Sequence, residues 1–418
     1  MHLSRAQQAL AGHGAQSVDT FAERVFGYLP RADQRRWVQT YLKGLLLTDG
    51  RKSMRRVAES VSGSPTVWYS LQQFINSSPW EWGPARDALT RWIEERSSVR
   101  ALTITPVILP KRGDQSVGVH QRFDLSCGRT INCQLAVGLF LSCPGANFPV
   151  DWRLVLPRQW TDDPGLRQRA RIPETESFRP QWRHMVDLLA DHVGSTSSPD
   201  VPIVADMSDA TDLVELTALL VGTRRDFIVA VDPRLVSARE GKVSDQRLHN
   251  RLQRTPHDGP RPRSGLVVGG RPLGSDVRRT WSQHTAAVTG SDGRFRQAQI
   301  LSTLVRQPVP KPQQGGGDQW PYRLFTELAA DGRPGSRIWF TNLTHHRLDE
   351  LLELTRLYVS STVTADCMDG RYELLDFAGR SFPAWHHHMT MASAAYAHLR
   401  LADSGYPSLS YLTGQRGA

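Results

Sequence analysis

The chain has 418 residues, 39% hydrophobic and 22% charged, which suits two or three compact units and excludes wholesale disorder. No run approaches the roughly eighteen apolar residues of a membrane-spanning helix, and "MHLSRAQQALAGHGAQS" lacks an apolar h-region, so the expected location is the cytoplasm, at the nucleoid. Lys and Arg number 51 against 41 acidic residues, a formal net charge of +10, and the lysines are only Lys43, Lys52, Lys111, Lys242 and Lys311; so arginine-rich a balance suits phosphate contacts, although a GC-rich genome also raises arginine.

Residues 18–98 read as helices. "VDTFAERVFGYL" and "ADQRRWVQTYLKGLLL" carry apolar residues at three-and-four spacing, with Asp19 and Asp33 near the starts. "GRKSMRRVAESVSG" and "SPTVWYSLQQFINSS" then make a helix-turn-helix-like pair. Ser64-Pro65 is an expected cap and first-turn proline for the second helix. Arg51, Lys52, Arg55 and Arg56 cluster on the first, where they fit either phosphate contacts or a solvated helix face. "EWGPARDALTRWIEERS" closes the helical region.

From residue 101 the period changes. "ALTITPVIL", "TINCQLAVGLFLS" and "FPVDWRLVL" are strand-like, and "RPQWRHMVDLLADHV" is an amphipathic helix. "VPIVADMS" reads as a buried strand ending at Asp206, "ATDLVELTALLV" as a helix and "DFIVAVD" as a second buried strand. Three strands followed by alternating strand and helix predict an α/β fold with a mixed sheet. Residues 232–330 interrupt it with a basic segment punctuated by proline and glycine. "TWSQHTAAVT" and "RFRQAQILSTLVRQPVP" within it look like a small β insertion, and "KPQQGGGDQ" like a loop tip. A strand, "SRIWFTN", and helices over about 346–362 and 384–402 follow, with a tail at 404–418 and a flexible segment at 1–17.

Several chemistries lack support. There is no GxxxxGK[ST] phosphate loop. Cys127, Cys133, Cys143 and Cys367 form no CxxC pair, so buried thiols are expected instead of a zinc site. Ser126 and Cys127 have no partner pattern for covalent catalysis. His386, His387 and His388 splay by about 100° per residue on a helix and cannot converge on one ion, so packing with an occasional phosphate contact is expected.

The order of elements, with four local matches, resembles the DDE superfamily of insertion-sequence transposases. The matches are "LPKRGDQSVGVHQRF", the strands "NCQLAVGLFL" and "DWRLVLPRQWTDD" with the loop "RARIPE", the strand in "IVADMSDATD", and "GRSFPAWHHHMTMASAAYAHL". The resemblance implies an RNase H-like mixed-sheet core interrupted by a β insertion and preceded by a helical N-terminal domain. The expected domains are 18–98, 99–231, 232–330 and 331–403. It also implies a DNA partner and two Mg²⁺ ions held by three carboxylates.

The carboxylate positions do not follow the family. The first falls on Thr105 and Pro106 in "ITPVILPK", and the second on Asp206. Counting back from the Gly-Arg-Ser that begins at Gly379 puts the third on Thr362, with Asp369 where a lysine is expected and Ala378 where a glutamate is common. Asp206 alone cannot hold two Mg²⁺ ions, and without the resemblance it reads as a cap for the following helix. Asp209, Asp366 and Asp369 are the nearby carboxylates that a rearranged site would use.

The leading expectation is a transposase-like DNA-binding protein without catalysis, acting as a domesticated regulator or as an accessory factor in a nucleoprotein complex. It has no cofactor, and its enzymatic activity is left open with the balance against. Its partner is double-stranded DNA, it has no membrane partner, and a homodimer or larger complex fits. Phosphate contacts are assigned to Arg51, Lys52, Arg55 and Arg56, and to Arg247, Arg251, Arg254, Arg261 and Arg263 in the insertion, beside Arg234, Arg239 and Lys242. Base readout is assigned to "SPTVWYSLQQ", and Trp281 and Trp320 read as interface anchors or core. The alternatives are an active Mg²⁺-dependent transposase or endonuclease with a rearranged acidic triad, and a protein–protein scaffold.

Overall fold

The computed structural model describes residues 15–124, 128–192, 200–235, 266–268, 271–273, 281–289, 295–307, 320–329 and 335–402. Contacts divide the chain into two compact units. One holds the described residues up to Val201 together with those from Leu357 on, the other the described residues of Pro202–Arg356. The cuts fall at 201/202 and 356/357, within the segments expected to form the core.

The first unit begins with five helices: α1 (Ala15–Phe26), α2 (Ala32–Leu47), α3 (Met54–Val61), α4 (Pro65–Ser77) and α5 (Gly83–Glu94). Helix α1 starts inside the segment expected to be flexible, because Val18, Phe21, Ala22 and Val25 supply a buried stripe. Ser53 caps α3 by accepting from the Arg56 N–H. Ser64 occupies the corresponding place before α4 but makes no side-chain cap bond, so Pro65 alone carries the expected start signal. Gly44 of α2 lies against Val57 of α3; a Cβ there would stand 2.5 Å from Val57 Cγ1, so only glycine lets the two helices approach this closely.

Four strands follow: β1 (Ala101–Pro110), β2 (His120–Asp124), β3 (Arg129–Cys143) and β4 (Ala146–Val155). β3 pairs antiparallel with β1, β2 and β4. β2 was not expected; its exposed "QRF" gives no buried run to read. Helices α6 (Arg158–Asp162), α7 (Pro164–Ala170) and α8 (Gln181–His192) follow, the first two too short for a periodic signal.

The second unit holds β5 (Ile203–Asp206), α9 (Leu213–Gly222) and β6 (Phe227–Val231), with β5 and β6 parallel as a βαβ connection requires. Next come β7 (Leu266–Val268), β8 (Arg271–Leu273), β9 (Ser282–Thr289), β10 (Phe295–Gln307), β11 (Trp320–Glu327) and β12 (Ile338–Thr341). β12 pairs antiparallel with β6, and β11, β10 and β9 continue the sheet antiparallel, while β7 and β8 form a separate two-stranded ribbon. Phe227, Tyr322 and Phe340 stack across β6, β11 and β12 with ring centroids 4.9–6.2 Å apart.

Two long helices come last among the described residues, α10 (Leu348–Gly370) and α11 (Phe382–Ala402). α10 runs eight residues beyond its expected end. In α11 every residue from Ala384 to His398 is buried, and the helix packs on β4, α2 and α4. It is a core helix, buried all round over this stretch, with Ala392, Ala394, Ala395 and Ala397 permitting close approach and its histidines, Thr390 and Ser393 buried as well. The fold is thus mixed α/β with N-terminal helices, as expected, and consistent with an RNase H-like core.

Candidate functional site

Thr105 lies in β1 opposite Gly138 of β3 and is fully buried. Thr362 lies in α10, where its hydroxyl donates to the Tyr358 carbonyl at 3.1 Å. The two hydroxyls meet at 3.0 Å. The family resemblance puts Thr105 at the first carboxylate position, the count from Gly379 puts Thr362 at the third, and the fold brings the two into contact. Pro106, the neighbouring position, sits opposite Val137 in the same ladder and offers no ligand atom.

Asp206 ends β5 in the second unit. Its Oδ2 accepts from Arg337 Nε at 2.7 Å and its Oδ1 from the Ser208 hydroxyl at 2.7 Å and N–H at 3.2 Å. It does not cap the next helix. Asp212 does that, accepting from the N–H groups of Val214 and Glu215.

Hard divalent cations need several anionic oxygens with open lone pairs. Thr105 and Thr362 offer neutral hydroxyls bonded to each other, and the Asp206 carboxylate is neutralised by a guanidinium. These residues do not fit a pair of Mg²⁺ ions. Among the described residues, no group of three or more His, Cys, Asp or Glu side chains could hold a metal ion. Asp369 lies near Lys111, and burial raises its pKa while that lysine opposes the shift. The Lys111 side chain is turned inward, donates to the Phe377 carbonyl at 3.1 Å and stands 4.0 Å from Asp376, and burial lowers its pKa.

The three histidines of α11 each pack on a different aromatic ring. His386 stacks on Trp82 at 4.5 Å, His387 on Trp80 at 4.0 Å and His388 on Phe377 at 4.6 Å. His388 Nδ1 meets the Tyr41 hydroxyl at 2.9 Å, and Nε2 meets the Leu374 carbonyl at 2.8 Å. Burial pushes the His388 pKa down to about 4. All three are buried packing residues, out of reach of a phosphate. Gly379 explains its place in the Gly-Arg-Ser turn: a Cβ there would collide with the Phe377 ring that covers His388.

Of the cations assigned to phosphate contacts, Arg55 is exposed, with Glu59 one turn on accepting from its Nε at 2.9 Å. Arg56 donates to the Asp49 carbonyl at 2.7 Å, and Arg51 to Asp376 at 2.7 Å. Lys52 is turned inward onto the Thr48 carbonyl and burial lowers its pKa, so it is not a surface cation. Arg51 and Lys52 also precede α3, which starts only at Met54. Arg234 pairs with Asp232. Arg239, Lys242, Arg247, Arg251, Arg254, Arg261 and Arg263 lie outside the described residues, as do Ser126 and Cys127. The remaining cysteines, Cys133, Cys143 and Cys367, are free thiols whose pKa values burial raises, that of Cys143 to about 12.

One cation escaped the sequence reading. Arg86 in α5 is buried, ion-paired with Asp151 of β4, and bonded to Thr390 Oγ1 at 2.9 Å, the Trp152 carbonyl at 3.1 Å and His386 Nδ1 at 3.1 Å. It ties the helical region to β4 and α11. Only its apolar neighbours Ala85 and Leu89, both buried, hint at its inward face.

The family model described as DDE superfamily endonuclease matches residues 24–307, more than half of the chain. The chain therefore belongs to that family, as the resemblance implied. The match takes in Thr105, Pro106 and Asp206 and ends before Thr362, whose assignment rests on the Gly-Arg-Ser count. Comparison with curated proteins gives no match. No helix among the described residues is long and apolar enough to cross a membrane.

Proposed function

We propose that this member of the DDE endonuclease family binds DNA without performing metal-dependent strand cleavage or joining, and that it works as a regulator or as an accessory factor in a nucleoprotein complex. The observation that carries this reading is the Thr105–Thr362 hydroxyl pair, which fills with a neutral hydrogen bond the place of two metal-holding carboxylates. The ion pair of Asp206 with Arg337 supports it, since a metal at that carboxylate has to compete with a guanidinium. The net charge of +10 and the exposed guanidiniums of Arg51, Arg55 and Arg56 support the DNA partner, and α4 is the element that faces bases.

Binding of a labelled duplex, followed by fluorescence anisotropy over a series of salt concentrations, tests the reading. Affinity is expected to fall steeply with salt, with a log–log slope reduced by about one for each arginine replaced, and to be lowered by Mg²⁺, which competes for the phosphates like any other cation. No binding at low salt overturns it and favours the scaffold. A rearranged metal site predicts instead that Mg²⁺ raises affinity through the carboxylates.

A further inference from the structure

The exposed face of α4 borders a groove of about 600 Å³ whose other walls come from the turn before α3 and from residues 376–380. Helix α4 is held from behind by Leu71, Phe74 and Ile75, all buried. Its outer face presents Trp68, Tyr69, Gln72 and Gln73 to the groove. Trp68 is 41% exposed and Tyr69 64% exposed; consecutive on the helix, they point about 100° apart, and both rings border the groove. Arg51 and Arg380 line the same groove, the first steered by its bond to Asp376.

We infer that this groove binds an unpaired stretch of nucleic acid, with bases stacked on Trp68 and Tyr69 and the backbone phosphates on Arg51 and Arg380. The inference rests on the nucleic-acid reading above and specifies which form of nucleic acid meets α4. A nucleobase combines what the groove offers: a flat face for the rings, an edge of donors and acceptors for the Gln72 and Gln73 amides, and an anionic link for the guanidiniums. A duplex shows side chains only base edges and keeps the flat faces stacked on one another, so Trp68 and Tyr69 have nothing to stack on there. Stacking is available when the strand is unpaired. An apolar protein partner fits less well, because amides and guanidiniums border the rings where such an interface would have its dry centre.

The groove also gives the Gly-Arg-Ser turn a purpose. Gly379 lets Phe377 fold back onto His388, and the turn so fixed delivers Arg380 to the groove.

The test uses the full chain, a labelled single-stranded oligonucleotide of mixed sequence and the duplex of the same sequence. Trp68→Ala and Tyr69→Ala are each expected to weaken single-strand binding by at least about fivefold, with the duplex affected less than about twofold. Tyr69→Phe keeps the ring and is expected to restore binding. Quenching of tryptophan fluorescence by the single strand, lost in Trp68→Phe, places the base on that ring. Equal losses on duplex and single strand, or no loss on either, overturn the inference and leave DNA binding standing. Failure of the unaltered chain to bind either form overturns both.

Discussion

The hydroxyls of Thr105 and Thr362 meet at 3.0 Å although the residues are 257 positions apart in the chain. This bond makes both positions structural, and a double-mutant cycle exposes it. Thr105→Val and Thr362→Val each remove this bond and are expected to cost about 1 kcal/mol. The double variant is expected to cost little more than either single one, a coupling of about 1 kcal/mol by urea denaturation. Additive costs contradict the pairing. Thr105→Asp, which restores a carboxylate in a buried place, is expected to destabilise by about 3 kcal/mol, with no recovery on adding Mg²⁺.

Removing Asp206 gives a second test. Carboxylates crowded to hold metals repel one another, so neutralising one commonly leaves stability unharmed or improves it. Here Asp206 is bonded to Arg337 and Ser208, and Asp206→Asn is expected to lower stability by about 1 kcal/mol. A gain in melting temperature speaks for the crowded arrangement.

Arg86 is the buried cation on which the helical region and β4 depend. Arg86→Ala leaves Asp151 without its ion-pair partner and opens a void beside His386. A loss of about 3–5 kcal/mol is expected in chemical denaturation. Arg86→Lys does not restore it, because an ammonium cannot reach Thr390, Asp151 and His386 in one plane.

Buried histidines set the acid limit. His184, His388 and His398 are held down to about 4 by burial, against an ordinary 6.5. The unfolded chain takes up their protons first, so their contribution is fully present above about pH 6.5 and is lost as pH falls toward about 4. Each contributes on the order of 3 kcal/mol to that loss. Urea midpoints followed from about pH 7 downward check this; a stability that rises as the pH falls through this window contradicts it. Burial lowers His387 too, against the two carbonyls of Ile75 and Trp80 that its ring nitrogens face.

β1, β3 and β4 were legible because their apolar runs are long, and α9 because a clear helical pattern sits between the apolar runs of β5 and β6; the exposed β2 was not. The last eight residues of α10 were not legible. Thr364 reads against a helix, yet its hydroxyl turns back onto the Ser360 carbonyl at 3.1 Å, as those of Ser361 and Thr362 do onto the Tyr358 carbonyl at 2.8 and 3.1 Å. Asn147 of β4 then binds Ser360 at 2.8 Å and Thr364 at 3.3 Å, a tertiary contact that outweighs propensity. At the site, the missing carboxylates could be counted from the sequence. The bonds made there could not, because Thr105–Thr362 and Asp206–Arg337 join distant segments with no shared local pattern. Lys52 misled for the opposite reason: it sits in a basic run, and only the fold turns it onto Thr48.

The central claim is loss of the metal-dependent reaction within a family of endonucleases. The most direct measurement incubates the purified full chain with supercoiled duplex DNA and Mg²⁺ or Mn²⁺ and follows nicking and linearisation on a gel. The account predicts no metal-dependent cleavage above the background of the Asp206→Ala variant, under conditions where the chain binds the DNA. Cleavage that needs the metal and disappears in Asp206→Ala contradicts it.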